Sequence, residues 1–203
     1  MFFKRLILTI FFTFFFLFLS KQQPFNNVLA TNDPGSYVIE ITKHAIDTLT
    51  DKSIDQNKKE TKFGELFDKN FDIPSISRFV LGKYWKVASL DQKKKFIRAF
   101  RNYIIKTYSS RFNEYSGEKL KLINFESESN PKIFLVHTIL ERQDAPVIKV
   151  DWRIGKKKNK FVILDIIIEG ISLAITQRSE YVSVIDQNEG NIDQLIALLK
   201  EKS

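Results

Sequence analysis

Two stretches of this sequence carry the two-residue period of a β-strand yet are apolar on both faces. In Ile133 to Leu140, one face reads Phe134, Val136 and Leu140, and the other Ile133, Leu135 and Ile139. Phe161 to Ile168 behaves likewise, with Asp165 as its single charge. Antiparallel sheets normally keep one face in water. A sheet built from such strands must therefore be covered twice. One face can pack on the long helix that begins near Leu90. The other needs further helix or an apolar ligand, unless these strands are simply central ones in an ordinary core.

The remaining strands and turns fit an antiparallel arrangement. Leu120, Leu122, Ile123 and Phe125 mark a strand after Gly117, and Asn130-Pro131 turns the chain. In Val147 to Ile154, the residues Ile148, Val150, Trp152 and Ile154 share a face opposite Lys149, Asp151 and Arg153. Gly155-Lys156-Lys157-Lys158-Asn159 closes a hairpin.

Helices precede this region. Asp33-Pro34 pairs an N-cap with proline at the first helical position, and Val38, Ile41, Ala45, Ile46 and Leu49 give the helical period. Asp51 to Lys62 is polar apart from Ile54 and reads as a loop or frayed helix end; Phe63, Leu66, Phe67 and Phe71 form a second short helical face. Asp72-Ile73-Pro74 repeats the cap signal before a helix that stops at Gly82. Ser89-Leu90-Asp91-Gln92 is a capping box before a long helix expected to reach about Tyr115. Lys93, Lys94 and Lys95 sit in its first turns, against the macrodipole, as a solvated face. After Gly170, Ile171 to Ile185 and Ile192 to Leu199 read as helices, with Asn191 capping the last. The fold class is α+β: helices packed around a twisted antiparallel sheet of about four strands.

Nine of the 19 phenylalanines fall in the first thirty of 203 residues. After Lys4-Arg5, Leu6 to Leu19 is apolar apart from Thr9 and Thr13. Fourteen helical residues rise ~21 Å, short of the ~30 Å bilayer core. Val28-Leu29-Ala30 places small residues where a signal peptidase requires them. Residues 1–30 are thus expected to be an export signal, with an uncleaved anchor as the competing reading, and residues 31–203 a single domain. Losing Lys4, Arg5 and Lys21, and no acid, lowers the formal charge from +8 to +5. That modest balance does not require nucleic acid, and export argues against it.

Signs of catalysis are lacking. With no cysteine, disulfides, thiolate chemistry and zinc-finger sites are excluded. His44 and His137 stand apart from other ligands at metal spacing, and no G-x-S-x-G, H-E-x-x-H or phosphate-binding glycine loop occurs. Asp165 and Glu169 are placed for acid–base work, but a structural role, bonding backbone or Arg178, fits better without a nucleophile.

Two segments carry a family resemblance. One is Phe71-Asp72-Ile73 through Arg78-Phe79-Val80-Leu81-Gly82-Lys83-Tyr84-Trp85, continued by Phe96, Phe100-Arg101 and Thr107-Tyr108. The other is Asp165 to Leu173, then Arg178-Ser179-Glu180-Tyr181 and Gly190 to Leu195. Together they resemble the MlaC family, also called the toluene-tolerance auxiliary family. The chain departs at Thr176-Gln177-Arg178, where the family often has Asn before the Arg, and at Lys160-Phe161, where Trp often precedes the last strand.

The resemblance implies an NTF2-like fold enclosing an acyl-chain cavity, in a periplasmic phospholipid carrier. The implied partners are an outer-membrane lipoprotein complex and an inner-membrane ABC transporter, with transient contact to membrane surfaces. Bound phospholipid would be cargo, with no cofactor, no metal and no enzyme activity. Two acyl tails of about fifteen methylenes cost on the order of 20 kcal/mol to expose to water, at roughly 0.8 kcal/mol each. A carrier removes most of that penalty.

By type and position, the expected lipid-binding residues are Phe79, Val80, Tyr84 and Trp85 at the helix junction and Phe100 and Ile104 on the long helix. From the sheet come Leu135, Ile139, Val150, Trp152, Ile166 and Ile168. The competing readings are a cavity enzyme on a similar fold, using Asp165 or His137, and a module whose apolar sheet face docks a partner protein.

Overall fold

Local capping chemistry starts most of the helices. In the computed structural model, which describes residues 33–143 and 145–203, Asp33 accepts the Ser36 N–H at 2.8 Å and opens α1 (Pro34–Leu49). Asp55 does the same for α2 (Gln56–Asn70) through Lys58 N–H, and Asp72 for α3 (Ile73–Val80) through Ser75 N–H. A one-turn helix α4 (Tyr84–Val87) leads to Ser89, whose capping box with Gln92 starts α5 (Leu90–Ser109). A 3-10 turn (Ser110–Glu114) follows. Five strands come next: β1 (Lys119–Ser127), β2 (Ile133–Arg142), β3 (Ala145–Lys157), β4 (Lys160–Ile168) and β5 (Ile171–Ser172). Ser172 caps α6 (Leu173–Gln187), and Asn191 caps α7 (Ile192–Glu201). The segment expected as a signal, residues 1–30, lies outside the described residues. Among the described residues no helix is long and apolar enough to cross a membrane.

Several boundaries differ from the sequence reading. The stretch 51–62 is not all loop: α2 begins at Gln56, and Lys59 is buried, its ammonium donating to the Asn113 side-chain amide oxygen. The tie to the 3-10 turn is non-local, so the polar composition concealed it. The long helix ends at Ser109, and Tyr115 lies beyond the 3-10 turn. Ile171 and Ser172 do not begin the sixth helix but pair with Ile168 and Ile167, giving a fifth, two-residue strand.

The sheet is antiparallel throughout, in the order β1-β2-β3-β4-β5. The helices form their own core, in which Phe96, Leu81, Val80, Ile185 and Leu195 are fully buried. Burying side chains of this size contributes about 1.5–3 kcal/mol each. Tyr181 lies edge-on to Phe96 and Phe100, with ring centroids 6.0 and 6.2 Å away. The long helix, expected on the sheet, belongs instead to this core: α5 packs on α2, α3 and α7, whose apolar faces meet its stripe, and the helix laid on the sheet is α1, against β1 and β2. Gly35 permits that approach, because a Cβ there would come within 2.8 Å of a Leu122 methyl. The helical core joins the sheet at Phe71, which bridges to Ile163, while Asp72 N–H donates to the Ile163 carbonyl at 3.0 Å.

Candidate functional site

Strand register assembles apolar rows across one face of the sheet. One row runs Leu122, Thr138, Val150, Ile168, Ile171. A second runs Phe125, Val136, Trp152, Ile166, and a third Ser127, Phe134, Ile154, Ile163. This is the face that α1 covers: Val38 packs with Val136, Ile154 and Ile163, flanked by Tyr37, Ile41 and Phe161. Burial pushes the Tyr37 hydroxyl up to about 12. A second cluster (Ile148, Val150, Ile168) lies toward Leu173 at the start of α6. Trp152 and Ile166 touch both clusters and are only half-buried themselves.

The row contains one polar interruption. Thr138 is buried, donates its hydroxyl to the Val150 carbonyl at 2.5 Å and accepts the Trp152 indole N–H at 3.1 Å. Both of its hydrogen-bonding capacities are used, so the position costs little. It also fixes the Trp152 ring, leaving an oriented, wide apolar plate on the sheet.

The sequence-expected residues separate into four places. Val150, Trp152, Ile166 and Ile168 meet on the covered face. Leu135 and Ile139 do not join them: they pair with Arg153 and Lys149, so their side chains stand on the opposite face, half-buried. Val80 and Phe100 are sealed inside the helical core, with Tyr84, Trp85 and Ile104 packed against it. Phe79 points outward at 41% exposure, with the Arg178 guanidinium 5.1 Å above its ring. Residues the sequence reading passed over include Leu122 and Phe125, at the open end of the covered face. Their alternation was broken by a bulge at Ile123.

The two segments that carry the family resemblance dock on each other. Gly82, at φ +58°, turns the chain beneath α6, where a Cβ would meet Val182 and Arg178 at 3.1 and 3.2 Å. The Tyr84 hydroxyl donates to Asp186, and Lys83 pairs with the same carboxylate at 2.8 Å. Asp165, a candidate acid, is occupied: it accepts the Ala174 N–H at 3.0 Å and the Ser172 hydroxyl at 2.6 Å, and pairs with Arg153 rather than Arg178. It ties β4 to the first turn of α6. Glu169 accepts the Lys149 N–H at 2.6 Å. His137 lies beside Asp151 at 2.8 Å, a pair on the face away from α1. Among the described residues, no group of three or more potential ligands is placed to hold a metal. A polar cleft of about 640 Å³ between α2 and α5 is a separate feature, crossed by the Arg101–Asp68 and Lys106–Glu60 pairs.

Comparisons with known proteins agree with this architecture. The profile of the MlaC protein family matches residues 39–201. A relative from Haemophilus influenzae, the intermembrane phospholipid transport system binding protein MlaC, is 28% identical over 128 residues. The match takes in 61% of this chain and 58% of the relative, so it spans less than two thirds of that protein's length. Among solved structures, a phospholipid-binding protein from Ralstonia solanacearum, in complex with a phospholipid, superposes with a TM-score of 0.72 at 19% identity, covering 84% of this chain and 96% of that one. The α+β fold, with helices around a twisted antiparallel sheet, is thus shared with that protein. With the family profile extending from α1 to the end of α7, the chain belongs to the MlaC protein family.

Proposed function

We propose that this protein is an exported carrier that holds one diacyl phospholipid by its acyl tails against the covered face of the sheet and performs no chemistry on it. The observation that carries the reading is the set of apolar rows ending in the half-buried, hydrogen-bond-oriented Trp152 and its neighbour Ile166. The Haemophilus relative is named as a binding protein of an intermembrane phospholipid transport system, and the Ralstonia structure holds a phospholipid; both support the same cargo. In this reading residues 1–30 are removed on export, residues 31–203 work in the periplasm, and the carrier exchanges lipid with an outer-membrane lipoprotein complex and an inner-membrane ABC transporter. The cargo takes the place of a cofactor.

The enzyme alternative would draw on Asp165 or His137, and Asp165 is already spent on Ala174, Ser172 and Arg153. Native mass spectrometry of protein exported and purified without detergent tests the proposal. The expected result is a chain starting at Thr31 with one phospholipid bound. Lipid-free protein that also takes no lipid from vesicles would overturn the carrier reading; release of fatty acid or lysolipid would replace it with an enzyme.

A further inference from the structure

The most exposed large apolar side chains among the described residues are Val87 and Leu90, at 75% and 78%. They flank the junction of α4 and α5, and they are held there rather than trailing. Ala88 between them is buried and donates its N–H to the Tyr84 carbonyl at 2.9 Å. Ser89 and Gln92 exchange the two capping-box hydrogen bonds, each at 3.1 Å. The corner is therefore a fixed projection with two aliphatic tips. Burying them would remove from water surface that nothing in the fold covers.

Lysines flank the tips along the chain, with Asp91 among them. Lys83 is paired with Asp186, and Lys95 with Asp91. Lys93 lies over the Trp85 ring at 5.5 Å. Lys86 and Lys94 are exposed and have no carboxylate partner among the described residues. Of the three lysines that oppose the α5 macrodipole, Lys95 is compensated by Asp91 and Lys93 by the Trp85 ring, which leaves Lys94, with Lys86, available to an anion outside the fold.

We infer that this corner is a membrane-docking tip, which sets Val87 and Leu90 among the headgroups of an anionic bilayer with Lys86 and Lys94 on lipid phosphates. Exposed aliphatic tips beside unpaired lysines match an anionic bilayer interface, where apolar side chains reach the acyl boundary and cations the phosphates. Two aliphatic side chains on a projecting corner fall far short of the ~1,000 Å² that a specific protein interface needs. A fluid surface requires no such area, and each nearby lysine adds attraction that salt screens. The inference deepens the carrier reading and rests on it for its purpose, since a carrier held at a bilayer is placed to exchange cargo there.

The test is flotation of the detergent-free protein with vesicles of phosphatidylcholine alone or with one third phosphatidylglycerol, at low and at physiological salt. Expected is binding to the anionic vesicles that weakens with salt, and a loss of about tenfold or more in V87D/L90D. K86E/K94E should lose the anionic preference. V147D, altering an exposed aliphatic elsewhere on the surface, should bind as the parent does. Thermal melts establish that each variant is folded, and native mass spectrometry of the same samples reads bound lipid. Parent protein that ignores both vesicles, or V87D/L90D that binds like the parent, overturns the docking tip even if the lipid cargo is present. Missing cargo alongside intact, tip-dependent vesicle binding would instead defeat the carrier reading alone.

Discussion

In the helical half, Phe96, Ile185 and Leu195 are sealed from solvent in one continuous cluster. On the sheet, apolar residues form two smaller clusters, joined through Trp152 and Ile166, which are only half-buried. The helices complete their own core. The sheet has an apolar face that one helix and the start of another cover incompletely, and its Leu122 and Phe125 remain 39% and 42% exposed. In the proposed carrier, stability and cargo binding would fall to different surfaces: a close-packed helical half, and a sheet half that keeps apolar surface in reserve.

If that division is right, substitutions in the two halves should fail in different ways. The largest effect belongs to Phe96→Ala, which empties a fully buried ring site flanked by Phe100 and Tyr181. It should cost about 3–5 kcal/mol, read by urea unfolding, with bound lipid per folded molecule unchanged. Lost cargo in a folded sample would break the comparison. Next is Ile166→Trp on the sheet. It should lower lipid occupancy severalfold while unfolding by urea shifts by under about 1 kcal/mol, because the position is half-buried and can accommodate volume. If lipid is retained and stability falls by about 1–3 kcal/mol, Ile166 is ordinary core and the reserve lies elsewhere.

The smallest effect concerns the seam between the halves, at Asp72. Burial works to raise its carboxyl, but hydrogen bonds from Lys157 and Ser75, with the Lys157 charge, outweigh it and hold the group below the usual Asp value. A carboxyl lowered on folding contributes stability above its unfolded pKa and loses it as pH falls through the folded value. Asp72→Asn should therefore cost about 1 kcal/mol at neutral pH, and the gap to the parent should close below about pH 4 in acid unfolding. A constant gap across that range would show that Asp72 acts by shape alone.

The sequence by itself determined the pieces whose causes are local. Asp33, Asp72, Ser89 and Asn191 announced their helices because an N-cap is satisfied by donors two or three residues away. The two-residue period of β2 and β4 announced strands, though the second face, with Leu135 and Ile139, is only half-buried, and the two motif segments, whose docking forms the α3–α6 seam, carried the family. Tertiary structure alone decided which cover goes where. The long helix, amphipathic and next to the strands in sequence, closes on other helices, while α1 reaches across to the sheet from the far end of the domain. Register was equally hidden. A one-residue shift in strand pairing exchanges faces, and bulges at Ile123 and between Arg153 and Ile154 shift it within single strands. This is why Leu135 and Ile139, equal to Val150 by composition, stand on the opposite side of the sheet from it. Hydrogen bonds between neighbours in sequence can be read along the chain; the side a side chain faces depends on strands paired across it.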